Sequence, residues 1–318
     1  MTIKERIAAE IAKANSIAIV CHTNPDGDTV GSALALYHAM IGTGKQVAVL
    51  CDSTLPQNLS ALTHADIFGV GERKHYDLAI AVDVSAPHMA GECYRVLREA
   101  GMSICIDHHS SHEKMAKLEW VQKAAANAEL IYELLADCYA DRLDVHSATH
   151  IYTALVTDTG GFSYDCVTAH THTVAGACLA LGAPGADICY LHLSKLPTRV
   201  VKMRSVAYSR ALYEAQDRLV LVVFSRELLD KYNGTLEDMA GSLVDVMRGD
   251  TVQVGVALVE VSPRQYKVSI RSKGRVSAAR IAESFGGGGH YNAAGCRLAG
   301  DEGIVLDRLI EAARPELE

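Results

Sequence analysis

His22-Thr-Asn-Pro-Asp26-Gly-Asp28 places one imidazole and two carboxylates within seven residues, directly after the apolar run Ser16-Ile-Ala-Ile-Val-Cys21 and directly before a helical pattern over residues 29 to 41. The apolar run predicts a strand. A strand that stops at such a cluster delivers its side chains to one end of a sheet, and in open α/β sheets that carboxyl end is where ligands bind. Pro25 fixes one backbone torsion and Gly27 frees another, so a tight loop there can aim the three side chains at one point. One His with two Asp prefers a hard or borderline divalent cation. The competing reading is a polar strand-to-helix loop with Asp28 as the N-cap of the next helix.

The same pattern recurs outward along the chain. Ile3, Ile7 and Ile11 repeat at helical spacing ahead of the first strand. Gln46-Val-Ala-Val-Leu-Cys51 reads as a second strand, and Leu78-Ala-Ile-Ala-Val-Asp83-Val as a third, apolar on both faces and therefore central and parallel. Asp83 at the end of a buried strand costs several kcal/mol if ionised and unpaired, so it calls for a cation or a dense set of donors; a turn residue ahead of Ser85 is the alternative. After a helix over residues 92 to 100, Ser103-Ile-Cys-Ile106 ends in Asp107-His108-His109. Adjacent side chains on extended backbone point in opposite directions. His108 is therefore assigned to a metal and His109 to the substrate side, with Asp107 fixing an imidazole tautomer. A helix over residues 146 to 156 runs into Thr157-Asp158-Thr159-Gly160-Gly161, where the glycine pair ends it and leaves Asp158 at the exit, as a ligand or as a capping residue.

With 318 residues the chain is long enough for two domains. Apolar residues make up 49% and charged residues 21%, an ordinary globular composition, and a net charge of −8 argues against coating of long nucleic acid. The nine cysteines include no Cys-x-x-Cys pair, which fits a reducing cytoplasm and excludes a zinc ribbon. The amino terminus lacks the apolar centre of a secretory signal, and no apolar run approaches the ~20 residues needed to span a bilayer. A soluble, cytoplasmic protein is expected. The expected boundaries are a first domain over residues 1–185 built on a parallel sheet with flanking helices, a linker over 186–198, and a smaller α/β domain with a mixed sheet over 199–318.

Six candidate ligands lie at strand or helix ends of the first domain: His22, Asp26, Asp28, Asp83, His108 and Asp158. Four carboxylates and two imidazoles suit two ions rather than one, about 3.5–4 Å apart and bridged by Asp83. Oxygen-rich ligands favour Mn2+ or Mg2+, with Co2+ an option, over thiolate-held zinc. Such a centre lowers the pKa of a bridging water, and the hydroxide attacks phosphorus. The second domain carries Phe285-Gly286-Gly287-Gly288-Gly289-His290, where glycine amides can approach an anion; the spacing is not that of a Walker loop. Beside it, Lys267, Ser269, Arg271 and Lys273 alternate with Val268 and Ile270, and residues 264–280 hold six basic residues and no acidic one. Arg271, next to Ser272, can hold a phosphate bidentately. A solvated basic edge strand is the competing reading.

His22-x-x-Pro-Asp26-Gly-Asp28, Val82-Asp83-Val-Ser85, Asp107-His108-His109 and Thr157-Asp158-Thr-Gly-Gly resemble, in order, the four metal motifs of the DHH phosphoesterase family. Gly286 to His290 with Ala293-Ala-Gly295 resembles the signature of the DHH-associated carboxy-terminal domain. The two-domain layout is similar to that of the nanoRNase and pAp-phosphatase group. The resemblance implies manganese-dependent removal of 5′ mononucleotides from very short RNA, hydrolysis of pApA, release of the 3′-phosphate of pAp, and an active site in an interdomain cleft. It implies Asp83, Asp107, His108 and His109 as catalytic residues. On the substrate side it implies Arg271, Ser272, Gly287, Gly288, Gly289 and His290. The partners it implies are short RNA or small nucleotides, neither long duplex DNA nor membrane, with a homodimer left open. A cyclic di-AMP phosphodiesterase uses the same motifs, and a nucleotide sensor without turnover is the non-enzymatic alternative.

Overall fold

The computed structural model describes residues 1–317. It divides into two compact units, Met1–Lys195 and Leu196–Glu318. The first opens with α1 (Ile3–Lys13), whose N-cap Thr2 and Glu5 form a capping box, and continues with β1 (Ser16–Val20), α2 (Gly27–Met40), β2 (Gln46–Leu50) and β3 (Leu78–Val82). Then come α3 (Cys93–Glu99), β4 (Met102–Asp107), β5 (Leu118–Val121), α4 (Asn127–Cys138), α5 (Val145–Asp158), α6 (Ala169–Ala180) and α7 (Gly185–Cys189). All strand pairs are parallel and the order is β2-β1-β3-β4-β5.

The strands read as unbroken apolar runs because both sheet faces are covered. Ile17, Ile19, Leu78, Ile80, Val82, Ile104 and Ile106 pack into the larger core with α2, α4 and α5. Their alternating partners Ala18, Val20, Ala79, Ala81 and Cys105 meet α3 on the other face. Large side chains thus face the thick helical layer and small ones the thin layer. Chain connections leave β1 in one direction and β3 in the other, so the sheet reverses its winding between these two strands, the point where doubly wound sheets open a crevice at their carboxyl ends.

The second unit comprises α8 (Thr198–Arg210), β6 (Leu212–Glu214), β7 (Leu219–Phe224), α9 (Arg226–Tyr232), α10 (Leu236–Val246), β8 (Val254–Ser262), β9 (Gln265–Ser272), α11 (Ala278–Glu283), β10 (Gly288–His290), β11 (Ala293–Ala299) and α12 (Glu302–Leu317). The sheet is mixed, in the order β10-β11-β9-β8-β7-β6, with only β7 and β8 parallel. One face is covered along its length by α11 and α12. On the other, α8 and α10 cover Val220, Val222, Phe224, Ala257 and Val259 of β7 and β8. Lys267 and Ser269 sit in register with Val259 and Ala257, so the uncovered part of that face is the basic part.

Several elements depart from expectation. The stretch expected as a linker, 186–198, is helical through α7 and a π turn at Tyr190–Ser194, and Ile188 is buried in the first core. The strands β5, β6 and β10 and the helices α9 and α12 were not foreseen. β5 (Leu-Glu-Trp-Val) carries a charge in four residues, too short for periodicity to register. In α12 the spacing Val305, Leu309, Ala313, Leu317 was legible; these four residues form its buried stripe.

Candidate active site and metal centre

The first unit gathers its acidic and imidazole side chains at the β1–β3 winding reversal. His22 follows β1 by two residues, and Asp83 is the first residue after β3. Asp83 has φ +57°, a left-handed conformation that costs a non-glycine residue on the order of 1–3 kcal/mol and recurs at functional sites. Its N–H donates to Ile106 O at 3.0 Å, which ties the strained residue to β4.

Asp26, not Asp28, is the N-cap of α2, its Oδ1 accepting the N–H groups of Asp28 (3.0 Å) and Thr29 (3.1 Å). Asp28 is 1% exposed and takes up a second task. Its carboxylate accepts the N–H groups of Asn127 (2.6 Å) and Ala128 (3.0 Å), at a helix start where the N-cap, Ala126, offers no side-chain acceptor. The amino terminus of α4 therefore holds Asp28 in place. Gly27 also works differently from expectation. Its φ is not positive, and a Cβ there would overlap Thr157 Oγ1, while a Cβ on Gly31 would overlap His150 O. The two glycines let α5 lie close on α2, which brings Asp158, the last residue of α5, beside Asp28 and His108.

Three donor groups, each compact enough to hold a metal ion, result: His22, Asp26 and Asp83; Asp83, His108 and His109; and Asp28, His108 and Asp158. All six expected ligands are in them. Asp83 Oδ2 lies 3.5 Å from His22 Nε2 and Oδ1 lies 3.4 Å from His108 Nε2, so one carboxylate faces both imidazoles. His22 Nδ1–H donates to Thr23 O (2.8 Å) and His108 Nδ1–H to Ala124 O (3.1 Å), which leaves both Nε2 atoms directed at the carboxylates. His108 Nε2 is 3.7 Å from Asp28 Oδ2 and from Asp158 Oδ2.

The electrostatics fit cations. Burial resists protonation of His22, but Asp26 and Asp83 overcome it and raise the imidazole to about 11. For His108 burial is likewise outweighed, by Asp83 and Asp28, to about 10. Burial and the neighbouring Asp83 push Asp158 up to about 6, against the pull of His108, and burial with Asp83 and Asp158 raises Asp28 well above the usual carboxylate range. Asp83 Oδ1 is buried without a hydrogen bond. Four crowded carboxylates with an unpartnered buried oxygen match the charge of two divalent ions, and the oxygen and imidazole donors suit hard or borderline metals.

His109 corrects the alternation argument. β4 ends at Asp107, so extended geometry does not carry past it; the rings of His108 and His109 lie side by side with centroids 4.5 Å apart. His109 Nδ1–H donates to Asp107 Oδ1 at 2.8 Å and lies 3.6 Å from Asp83 Oδ1, and Nε2 is the free nitrogen on a side chain 37% exposed. Two residues escaped the sequence reading. His112 Nδ1 contacts the second oxygen of Asp107 at 2.7 Å, and Glu119 lies behind it. The three-residue spacing from His109 to His112 was visible, but no periodicity connects a loop residue to a strand end.

In the second unit His290, Ala293 and Arg271 form one row across β10, β11 and β9, and Gly288, Gly295 and Ser269 form the next. The small residues leave a trough between the larger ones. A groove of about 520 Å³ lies beside it, lined by Lys267, Ser269, Gly286, Gly287, Gly295 and Arg297. The glycines serve packing more than amide donation: the Gly287 N–H is used by Ala282 O, and a Cβ on Gly287 or Gly289 would meet β11 backbone. Ser272 falls on the opposite face from Arg271, buried, with its hydroxyl 3.3 Å from Asn292 Oδ1; it braces the β10–β11 turn instead of facing a ligand.

Comparison with known proteins follows this division. Residues 16–157 match the DHH family, N-terminal domain, and residues 217–318 match the DHHA1 domain. The chain is 30% identical to the bifunctional oligoribonuclease and PAP phosphatase NrnA of Thermus thermophilus, covering 99% of this chain and 94% of that one. It is 23% identical to the cyclic-di-AMP phosphodiesterase GdpP of Bacillus subtilis over 95% of this chain but 48% of that longer protein. An exopolyphosphatase-related protein from Bacteroides fragilis shares the fold, with a TM-score of 0.76 at 24% identity over 98% of this chain and 96% of that one.

Proposed function

The chain belongs to the DHH family of phosphoester hydrolases, and we propose that it cleaves short oligoribonucleotides such as pApA to mononucleotides and pAp to AMP and phosphate, with two Mn2+ ions held by His22, Asp26, Asp28, Asp83, His108 and Asp158. The observation that carries this reading is Asp83, strained in backbone and with Oδ1 buried without a hydrogen bond, facing both imidazoles with one carboxylate. When bound, the cations would lower the pKa of the attacking water and stabilise charge on the phosphoryl oxygens.

The protein's own groups supply the rest. Water attacks phosphorus and releases a proton to solvent, the bond from phosphorus to the ribose O3′ breaks, and the departing oxygen takes the Nε2 proton of a doubly protonated His109, whose orientation Asp107 sets through Nδ1–H; the neutral ring then regains a proton from solvent. In pAp and in pApA the bond broken is the same; the substrates differ only in what the far side of the phosphate carries. Arg271 and His290, in one row two strands apart on the basic face, bind the other phosphate. Cyclic di-AMP presents the same scissile bond without a free terminal phosphate and is the second reading, favoured by the likeness to GdpP along most of this chain. No helix among the described residues is long and apolar enough to cross a membrane.

Rates with Mn2+ on pAp, pApA, cyclic di-AMP and a longer RNA test the proposal. Turnover of the first two above the others is the expected result. Preference for the cyclic dinucleotide would replace it with the second reading, and binding without turnover of any would make the chain a sensor.

A further inference from the structure

We propose that His112 is a positioning residue that, through Asp107, fixes the tautomer and aim of His109; as a statement about catalysis this rests on the hydrolytic reading above. The β4–β5 register pairs Cys105 with Glu119 and Asp107 with Val121. Asp107 and Glu119 therefore stand on the same sheet face as diagonal neighbours, a spacing of about 7–8 Å between backbones at which two carboxylates repel. Asp107 is 0% exposed, and Glu119 cannot swing away, because its Oε1 accepts the N–H groups of Met115 (2.6 Å) and Ala116 (2.9 Å).

His112 is wedged between them, with Nδ1 2.7 Å from Asp107 Oδ2 and Nε2 3.5 Å from Glu119 Oε2. The Nε2 contact is not a hydrogen bond, so the ring is held from the Asp107 side and Glu119 acts as an electrostatic stop behind it. Asp107 then has both oxygens engaged: Oδ2 by His112 and Oδ1 by His109 Nδ1–H at 2.8 Å. A carboxylate held on both oxygens cannot rotate. The ring of His109 is consequently fixed with Nδ1–H on Asp107, so that the proton it gains and gives in each turnover is the one on Nε2. None of the three donor groups of the centre includes His112, Glu119 or Asp107; His109 belongs to one of them, with Asp83 and His108, but is not among the six proposed ligands, so bound metal is measured beside the rate.

Two amide substitutions separate this role from simple bracing of the loop. In His112→Asn the amide N–H stands near the place of Nδ1–H and keeps the bond to Asp107. In His112→Gln the amide is carried one methylene further and that donor is lost at similar size and polarity. The measurements are kcat and KM on pApA with Mn2+, bound Mn2+ per chain, and the 15N shifts of His109 in Mg2+-loaded protein. His112→Gln should lower kcat about 10- to 100-fold with KM and metal content near those of the wild type. His112→Asn should recover most of the loss. In the wild type and the Asn variant the neutral His109 ring, read above its titration, should carry its proton on Nδ1; in the Gln variant it should exchange between nitrogens. Equal kcat in both variants, metal loss that parallels the rate loss, or an unchanged His109 tautomer in the Gln variant would overturn the inference. A wild type with no turnover on any nucleotide defeats the functional reading instead, and the tautomer measurement still decides the role of His112.

Discussion

The acidic centre of the first unit and the basic face of the second are built in opposite ways. In the first, several of the candidate ligands are held by something other than one another: Asp28 by the start of α4, His22 and His108 by backbone carbonyls, and the backbone of Asp83 by its bond to Ile106. In the second, His290 is exposed and, among the described residues, the Arg271 guanidinium bonds only to the carbonyl of Ile270 (3.1 Å). The difference follows from charge density. Crowded carboxylates repel and must be clamped to remain together, whereas separated cations on a strand face need only a floor of small residues. Clamped groups should therefore govern rate, and loosely held ones affinity.

The largest expected effect is at the clamp. Asp83→Asn should lower kcat about 10²- to 10³-fold and reduce bound Mn2+ below two per chain, because one carboxylate serves both halves of the centre. Retained turnover in this variant, measured by nucleotide release, would remove the shared-carboxylate assignment. Proton competition comes next. In the metal-free protein His22 and His108 are raised to about 11 and about 10, above the unfolded value, so their ion pairs contribute stability fully below about 6.5 that is lost as pH rises through 10 to 11. Metal must displace those protons. Mn2+ affinity should then strengthen with rising pH, by up to about tenfold per unit for each proton released, and weaken further below about 6 where Asp158 is protonated. Calorimetry in buffers of different ionisation enthalpy counts the protons; a count of zero would exclude the two imidazoles as ligands.

Arg271→Ala should raise KM about 10- to 100-fold with kcat much less affected. A loss confined to kcat would erase the contrast between the two regions. Gly27→Ala should destabilise the first unit by about 1–3 kcal/mol and weaken Mn2+ binding, since the added methyl displaces Thr157 and with it Asp158; thermal unfolding with and without Mn2+ reads both. The smallest change belongs to Ser272→Ala, with about 1 kcal/mol of stability and no change in KM, because the hydroxyl bonds to Asn292 and faces away from Arg271. A KM effect there would return Ser272 to the substrate side.

Much of the centre was legible because its residues follow apolar runs. A carboxylate or imidazole that stops a buried strand is conspicuous against its neighbours, as Asp83 and Asp107-His108 are. Asp158 was weaker as a lone residue at a helix exit and gained weight only from the others. The roles of the glycines were misread at Gly27 and Gly287 because torsional freedom and close approach leave the same letter in the sequence. Ser272 was placed by its neighbour Arg271, although the strand alternation that makes Lys267, Ser269 and Arg271 one face puts Ser272 on the other.

The sequence alone determined the parallel sheet, the second mixed sheet, the six candidate donors that the fold brings together and the local basic reversal over residues 264–280, because these rest on periodicity and composition that need no partner. Only the tertiary structure decided how the donors are held. The start of α4 fastening Asp28, α5 lying on two glycines of α2, and His112 set between Asp107 and Glu119 all join residues separated along the chain. Those contacts exist once helices and strands have docked, and no local pattern encodes the distance between them.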